Sequence, residues 1–111
     1  MSEERIYTLT ADQLVSLLVE AEEGFKVSRI MLQHYLEKRE QNQVCALLAE
    51  VFWASHNIRR IVKEEMLDSP VTEDGQIMVT EQPLVLLQTL VLSKDMANKE
   101  LLKYSISMKL H

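Results

Sequence analysis

Glycine and proline are scarce in this sequence, with two residues of each among 111. Globular proteins average about 7% glycine and 5% proline, so few positions here suit tight turns. The composition therefore predicts long helices joined by few connections. Because glycine occurs only at positions 24 and 75, the chain also lacks both glycine-rich patterns that bind nucleotide phosphates.

Cysteine occurs once, at Cys45, which excludes an intramolecular disulfide and fits a reducing compartment. The N-terminal segment MSEERIYTLT is polar and acidic, unlike a signal or transit peptide. The longest apolar run, residues 84–92, contains Gln88 and Thr89 and is too short to span a bilayer. We therefore expect a cytoplasmic protein without a membrane partner.

Basic residues are fewer than acidic residues, 12 against 17, which gives a formal net charge of −5. A protein that binds DNA or RNA needs a basic surface to neutralise phosphates, so this balance disfavours nucleic acid as the main partner. Hydrophobic residues make up 47% of the chain and charged residues 26%, which is typical of a folded globular protein. The length predicts a single helical domain, residues 1–111, with residues 1–9 loosely ordered. The alternative for residues 5–9 is a short β-strand, because Ile, Tyr and Thr favour strands.

The stretch from Val44 to Leu67 is predicted to be the central helix of the fold. It contains no glycine and no proline over 24 residues, and at about 1.5 Å per residue it would span roughly 36 Å, the width of a small domain. Its apolar residues recur every three or four positions, the spacing of one helix face. These are Val44, Leu47, Leu48, Val51, Ile58 and Val62.

The preceding segment favours one helix over about residues 11–40. Thr10 and Gln13 fit a capping box, and a 4-3-4-3 apolar spacing runs through Gly24 without interruption. The alternative is a pair of helices that meet at Gly24. The polar run 37–43, with Asn42 as a candidate N-cap, would join this unit to the central helix as an αα-hairpin.

The last third of the chain contains the one irregular segment. Pro70 ends the central helix, and the Asp74–Gly75 turn signal predicts a short β-hairpin within residues 71–80. Residues 84–92 predict a deeply buried helix, because this stretch is apolar on nearly all sides. Whether the helix continues beyond Ser93, and whether residues 104–110 form a strand or a helix end, stays open. The fold class is mainly α, a small helical bundle built on the αα-hairpin.

The only tryptophan lies on the opposite side of the central helix from its aliphatic residues, since Trp53 is about 180° from Val44 at about 100° per residue. Two interpretations remain open. In one, the helix is buried on both sides and Trp53 belongs to the core. In the other, Trp53 anchors a protein interface, because Trp and Arg are enriched at binding hot spots. That candidate interface, the Trp53 face, consists of Ala46, Ala49, Trp53, His56, Asn57 and Arg60.

Basic residues cluster on the central helix at Arg59, Arg60 and Lys63. The cluster suits a phosphate or an acidic partner, but pairing of Arg60 with Glu64 and of Lys63 with Asp68 explains it better. The lysines of the C-terminal segment are interpreted as a solvated face; they are Lys94, Lys99, Lys103 and Lys109.

The residues that carry metal or nucleophilic chemistry are few and poorly spaced. No histidine has a second His or Cys at metal-ligand spacing, so we predict no metal site and no cofactor. His34 and His56 would face each other in one arrangement of the hairpin, although a role for the pair is not favoured. Cys45 lies near the aliphatic side of the central helix, where a buried thiol is inert.

These observations lead to three hypotheses of different classes. The favoured one is a non-enzymatic protein–protein interaction module, such as an adaptor, a small chaperone or an inhibitor, that forms a homodimer through the Trp53 face. The second is a regulatory protein that contacts nucleic acid, or an enzyme acting on it, through Arg59, Arg60 and Lys63. The third is a small enzyme that uses His34, His56 or Cys45.

Overall fold

The structure is a computed structural model that describes residues 5–38 and 43–106. Most of these residues belong to three long helices, α1 (Ala11–Glu37), α2 (Gln43–Ile61) and α3 (Glu81–Leu102). Two short strands, β1 (Ile6–Leu9) and β2 (Ile77–Thr80), stand directly before α1 and α3. The predicted class is confirmed: the fold is mainly α, built on an αα-hairpin, with a minor β element in the 71–80 region.

Helix α1 begins at the predicted capping box. The Thr10 hydroxyl accepts a hydrogen bond from the Gln13 backbone N–H, and the Gln13 side chain accepts one from the Thr10 N–H, which satisfies two otherwise unpaired donors. The helix then passes through Gly24 unbroken, so the interpretation as one helix is confirmed. It ends at Glu37, and the proposed N-cap Asn42 lies outside the described residues.

Helix α2 buries the aliphatic side that its sequence predicts, and all six residues of that side have little or no exposed surface. The helix continues into one wider π-helical turn, Val62–Met66, in which Val62 and Met66 are buried. Helical structure stops at Leu67, shortly before the predicted stop at Pro70. The central helix is therefore confirmed in extent, but its last turn is a wider π-helical turn that the spacing did not indicate.

Strand β2 pairs with the N-terminal strand β1 in antiparallel register, from Ile6 opposite Thr80 to Leu9 opposite Ile77. Residues 6–9 are therefore part of the sheet, and the expectation that residues 1–9 are loosely ordered is wrong for them; residues 1–4 lie outside the described residues. Within the 71–80 region, the hairpin is reduced to a single bridge between Val71 and Ile77. Its turn uses Gly75 with a φ of +80°, a conformation that glycine adopts without steric strain.

Helix α3 is one continuous helix through Leu102, so the break near Ser93 is not present. The prediction that residues 84–92 are deeply buried is wrong, because Leu92 is 61% exposed and Val85 is half exposed. Tyr104 and Ser105 form a turn after the helix. The rest of the 104–110 segment, from residue 107, lies outside the described residues. Within the described ranges, no helix is long and apolar enough to cross a membrane.

The three helices form an open arrangement with α2 in the middle. Helix α2 packs closely along both α1 and α3, whereas the backbones of α1 and α3 approach each other much less closely. Because β1 and β2 pair, α1 and α3 both begin at the same end of the molecule, beside the two-stranded sheet. One side of α2 and the space between α1 and α3 are therefore left uncovered.

Candidate interaction surfaces

The Trp53 face lies on the uncovered side of α2. Trp53 itself is 58% exposed, and the interpretation that it belongs to the core of this chain is wrong. Ala46, Ala49, His56 and Arg60 are also exposed, and Asn57 is half-buried. The reason is geometric: α1 and α3 cover two sides of α2, and no element of the described chain covers the third.

The side chains around the Trp53 indole project little above the surface of the helix. The Asn57 amide donates a hydrogen bond to the Trp53 backbone carbonyl at 2.9 Å, so its side chain is turned back along the helix. Arg60 pairs with Glu64 one turn later at 3.5 Å, as predicted. Ala46 and Ala49 leave space on the N-terminal side of the indole. The Trp53 face therefore presents one large aromatic side chain, flanked by small side chains and by side chains that bond to their own helix.

The exposed surface continues from α2 onto α3. The Ser93 hydroxyl donates a hydrogen bond to the Glu50 carboxylate at 2.8 Å, which places the two helices side by side at this edge. Leu86 lies two turns before Ser93 on the same side of α3 and is 45% exposed. The apolar surface available to a partner is therefore wider than the six residues of the Trp53 face.

Aromatic rings pack between α2 and α1, at the edge of α2 opposite α3. The Phe25 and Phe52 rings lie with centroids 4.9 Å apart, and the His56 ring lies 5.8 Å from Phe25. The Arg59 guanidinium lies 4.1 Å from the centroid of the Phe25 ring, in cation–π geometry. These contacts orient His56 at the border of the Trp53 face.

The predicted approach of His34 to His56 is wrong. His56 contacts Phe25, and His34 lies roughly 14 Å further along the axis of α1. The nearest ring to His34 is Tyr35, at 6.0 Å. Cys45 is half-buried on α2 and lies about three turns before His56, so these two side chains do not share a site. Among residues 5–38 and 43–106, no group of three His, Cys, Asp or Glu side chains could hold a metal ion.

Two residues of the basic cluster, Arg59 and Lys63, contact one carboxylate of α1, that of Glu22. Lys63 lies 3.0 Å and Arg59 lies 3.4 Å from the two oxygens of Glu22. The predicted pairing of Lys63 with Asp68 is therefore wrong, since Lys63 lies in the π-helical turn and reaches across to α1. The hydrogen bond from Lys63, with help from Arg59, holds the pKa of Glu22 below its usual range, although partial burial opposes the shift. With Arg60 paired to Glu64, the three cations of the cluster contact two carboxylates, which leaves one positive charge uncompensated.

Lys94 is buried at the centre of the molecule, with only 8% of its surface exposed, so its interpretation as part of a solvated face is wrong. Its side chain packs against Gly24 of α1, where a Cβ would lie 3.4 Å from the Lys94 Cε, at ordinary contact distance. Burial lowers the pKa of Lys94, and the nearby carboxylates of Glu20, Asp95 and Glu23 partly offset this effect.

A groove between α1 and α3, the α1–α3 groove, is a concave feature of the described chain with a volume of about 650 Å³. Sequence reasoning missed it, because the apolar residues all around α3 were interpreted as a sign of burial. The sequence did contain a sign of the groove. Helix α3 has apolar residues on two sides, at Leu84, Leu87, Val91 and Leu92, whereas a helix packed on α2 alone needs only one apolar side. All four residues line the groove, and Leu84 and Leu87 also belong to the buried core.

Comparisons of the chain with models of protein families, with curated proteins and with solved structures found no match. Functional inference therefore rests on the two surfaces described above.

Proposed function

We propose that this protein is a non-enzymatic protein–protein interaction module that acts as a homodimer through the Trp53 face. One observation carries the proposal: the only tryptophan of the chain is 58% exposed, at the centre of a face of small side chains. A tryptophan side chain buries up to about 250 Å² in an interface. At about 25 cal/mol per Å², covering the exposed part contributes about 3 kcal/mol per copy.

The charges along the face favour a second copy that runs antiparallel. Glu50 lies near the N-terminal end of the face and Arg60 near its C-terminal end. An antiparallel pairing centred on Trp53 brings Glu50 of each copy towards Arg60 of the other, where it would share the guanidinium with Glu64. A parallel pairing would oppose like charges at both ends. Ala46 and Ala49 provide the space that lets two helices approach closely.

The experiment is sedimentation velocity over a wide concentration range on three proteins: wild type, Trp53→Ala and Val19→Ala. Val19 on α1 is also 58% exposed but lies away from the Trp53 face, so its variant controls for simple loss of exposed apolar surface. We expect wild type and Val19→Ala to dimerise with equal Kd. We expect Trp53→Ala to weaken dimerisation by more than about a hundredfold while its circular dichroism stays unchanged.

Two results would contradict the proposal. The first is a wild-type protein that stays monomeric at the highest concentration tested, and the second is a folded Trp53→Ala variant that dimerises as well as wild type. The emission of Trp53 gives an independent readout on the unmodified protein, because it should move to longer wavelength as dilution exposes the indole.

The other two hypotheses receive less support from the geometry. Arg59 and Lys63 share Glu22, and Arg60 is paired with Glu64, so binding to phosphates would require breaking these pairs. An enzyme using His56 and Cys45 would need two groups that lie far apart on α2. The proposed cytoplasmic location rests on the single cysteine.

A further inference from the structure

The α1–α3 groove is a second surface that self-association through the Trp53 face leaves open. Its floor is apolar and is contributed by β1, α1 and α3; the residues are Leu9, Leu17, Leu84, Leu87, Val91 and Leu92. None of the residues lining it belongs to α2. The groove therefore lies where α1 and α3 diverge, on the side of the molecule away from the central helix.

This position is the one that a fourth helix takes in a four-helix bundle. In such bundles each helix packs against two neighbours around a shared apolar core, and here only α2 has two close neighbours. From Leu84 to Asp95 the groove follows α3 for roughly 17 Å, or about three helical turns. Its length and depth match one short helix better than a flat protein surface.

The rim of the groove is acidic. Asp12, Glu20 and Asp95 stand along its edges, and none of its described lining residues is Lys, Arg or His. The nearest cation is Lys94, whose buried ammonium is already close to Glu20 and Asp95 and so offsets only part of their charge. An occupant must therefore present apolar groups to the floor and positive charge to the rim.

The same charges exclude the simplest alternative. Two copies of this chain meeting groove to groove would bring their acidic rims together, and like charges across an interface oppose association. Nucleic acid and other anionic ligands are repelled for the same reason. We propose that the α1–α3 groove binds a short amphipathic helix of another protein, with apolar residues on one face and Lys or Arg on both sides of that face.

The test uses three synthetic helical peptides of about 14 residues, or roughly 21 Å. The first has Leu on one face and Lys beside it, the second replaces every Lys with Glu, and the third replaces every Leu with Ser. Each is titrated into the isotopically labelled full-length Trp53→Ala protein, and the backbone amide signals are followed by NMR. Using this variant separates groove binding from self-association, so failure of one proposal does not decide the other.

We expect the Leu/Lys peptide to shift the signals of Asp12 to Glu20 and Leu84 to Asp95. The Leu/Glu and Ser/Lys peptides should bind at least about tenfold more weakly, because each lacks one of the two contributions. Leu92→Ser should weaken binding of the Leu/Lys peptide, since Leu92 is 61% exposed and lines the groove. Leu102→Ser, equally exposed but outside the groove, should not.

Three results would overturn the proposal. They are the absence of any signal shift with the Leu/Lys peptide at millimolar concentration, shifts centred on α2, and equal binding of the Leu/Lys and Leu/Glu peptides. Circular dichroism of Leu92→Ser checks that weaker binding reflects the lost contact rather than a change of fold.

Discussion

Gly24 is the point at which all three helices meet, and replacing it with alanine gives a sharp test of how closely they pack. A Cβ at this position would lie 2.6 Å from the Ser55 hydroxyl oxygen and 3.6 Å from the Ser55 Cβ. The first distance is too short for two non-bonded atoms, and the second is ordinary van der Waals contact. The clash is therefore confined to one oxygen atom.

The expected free energies can be worked from this geometry. Alanine in the middle of a helix is about 1 kcal/mol more favourable than glycine, whereas overpacking a buried site costs typically about 1–3 kcal/mol. We therefore expect Gly24→Ala to lower the free energy of unfolding by about 0–2 kcal/mol. The Ser55 hydroxyl is buried and makes no hydrogen bond within the described residues, so Ser55→Ala alone should be neutral or stabilising.

The double variant isolates the contact. With alanine at position 55, the clashing oxygen is absent, and Gly24→Ala should then raise the free energy of unfolding by up to about 1 kcal/mol. The two substitutions should thus be coupled by about 1–3 kcal/mol, as measured by urea unfolding of all four proteins followed by circular dichroism. If Gly24→Ala has the same effect in both backgrounds, the close approach of Gly24 to Ser55 is not what decides its stability.

Two further predictions concern charged residues. Glu22→Gln should destabilise the protein by about 1 kcal/mol or less at pH 7, because Lys63 and Arg59 lose their carboxylate. The lowered pKa of Glu22 stabilises the fold above the ordinary pKa of glutamate, and this stabilisation is lost as the pH falls. The stability of the variant should therefore fall less steeply than that of wild type between about pH 5 and pH 3. Equal slopes for both proteins in acid unfolding would contradict this. Lys94→Met should stabilise the fold by roughly 1 kcal/mol at pH 7, because it removes a buried charge. Burial lowers the pKa of Lys94, so wild type, unlike the variant, should gain stability as the pH rises towards about 10.4 and the ammonium loses its proton. A less stable Lys94→Met protein in thermal unfolding would show that the ammonium makes a favourable interaction.

The parts of the fold that follow from local rules were predictable from the sequence. The capping box at Thr10 and the aliphatic side of α2 depend on residues within a few turns of each other, and both are confirmed. The passage of α1 through Gly24 was also indicated, because the apolar spacing on either side of it stays in phase.

What the sequence did not indicate depends on contacts between distant segments. The pairing of β1 with β2 joins residues separated by most of the chain, and neither strand is marked by more than four residues. The π-helical turn directs Lys63 towards Glu22, which no spacing rule on one helix can reveal. The burial of Lys94 depends on its packing against α1, beside Gly24, which the spacing along α3 does not reveal. The sequence could not decide whether the apolar residues of α3 are buried or exposed, because a helix that is apolar on most sides is found both in a core and beside an open groove.

The pairing of β1 with β2 also bears on the order in which the molecule assembles. The helices α1 and α2 are neighbours in the chain and can dock through local contacts. The two strands, in contrast, must close a loop of about 70 residues, which costs roughly 4 kcal/mol in chain entropy if the chain is still unfolded. That entropy falls once the helices have docked and shortened the path between the strands. Strand β1 is thus among the last segments to become fixed, and the two-stranded sheet joins the starts of α1 and α3 only after the helices have docked.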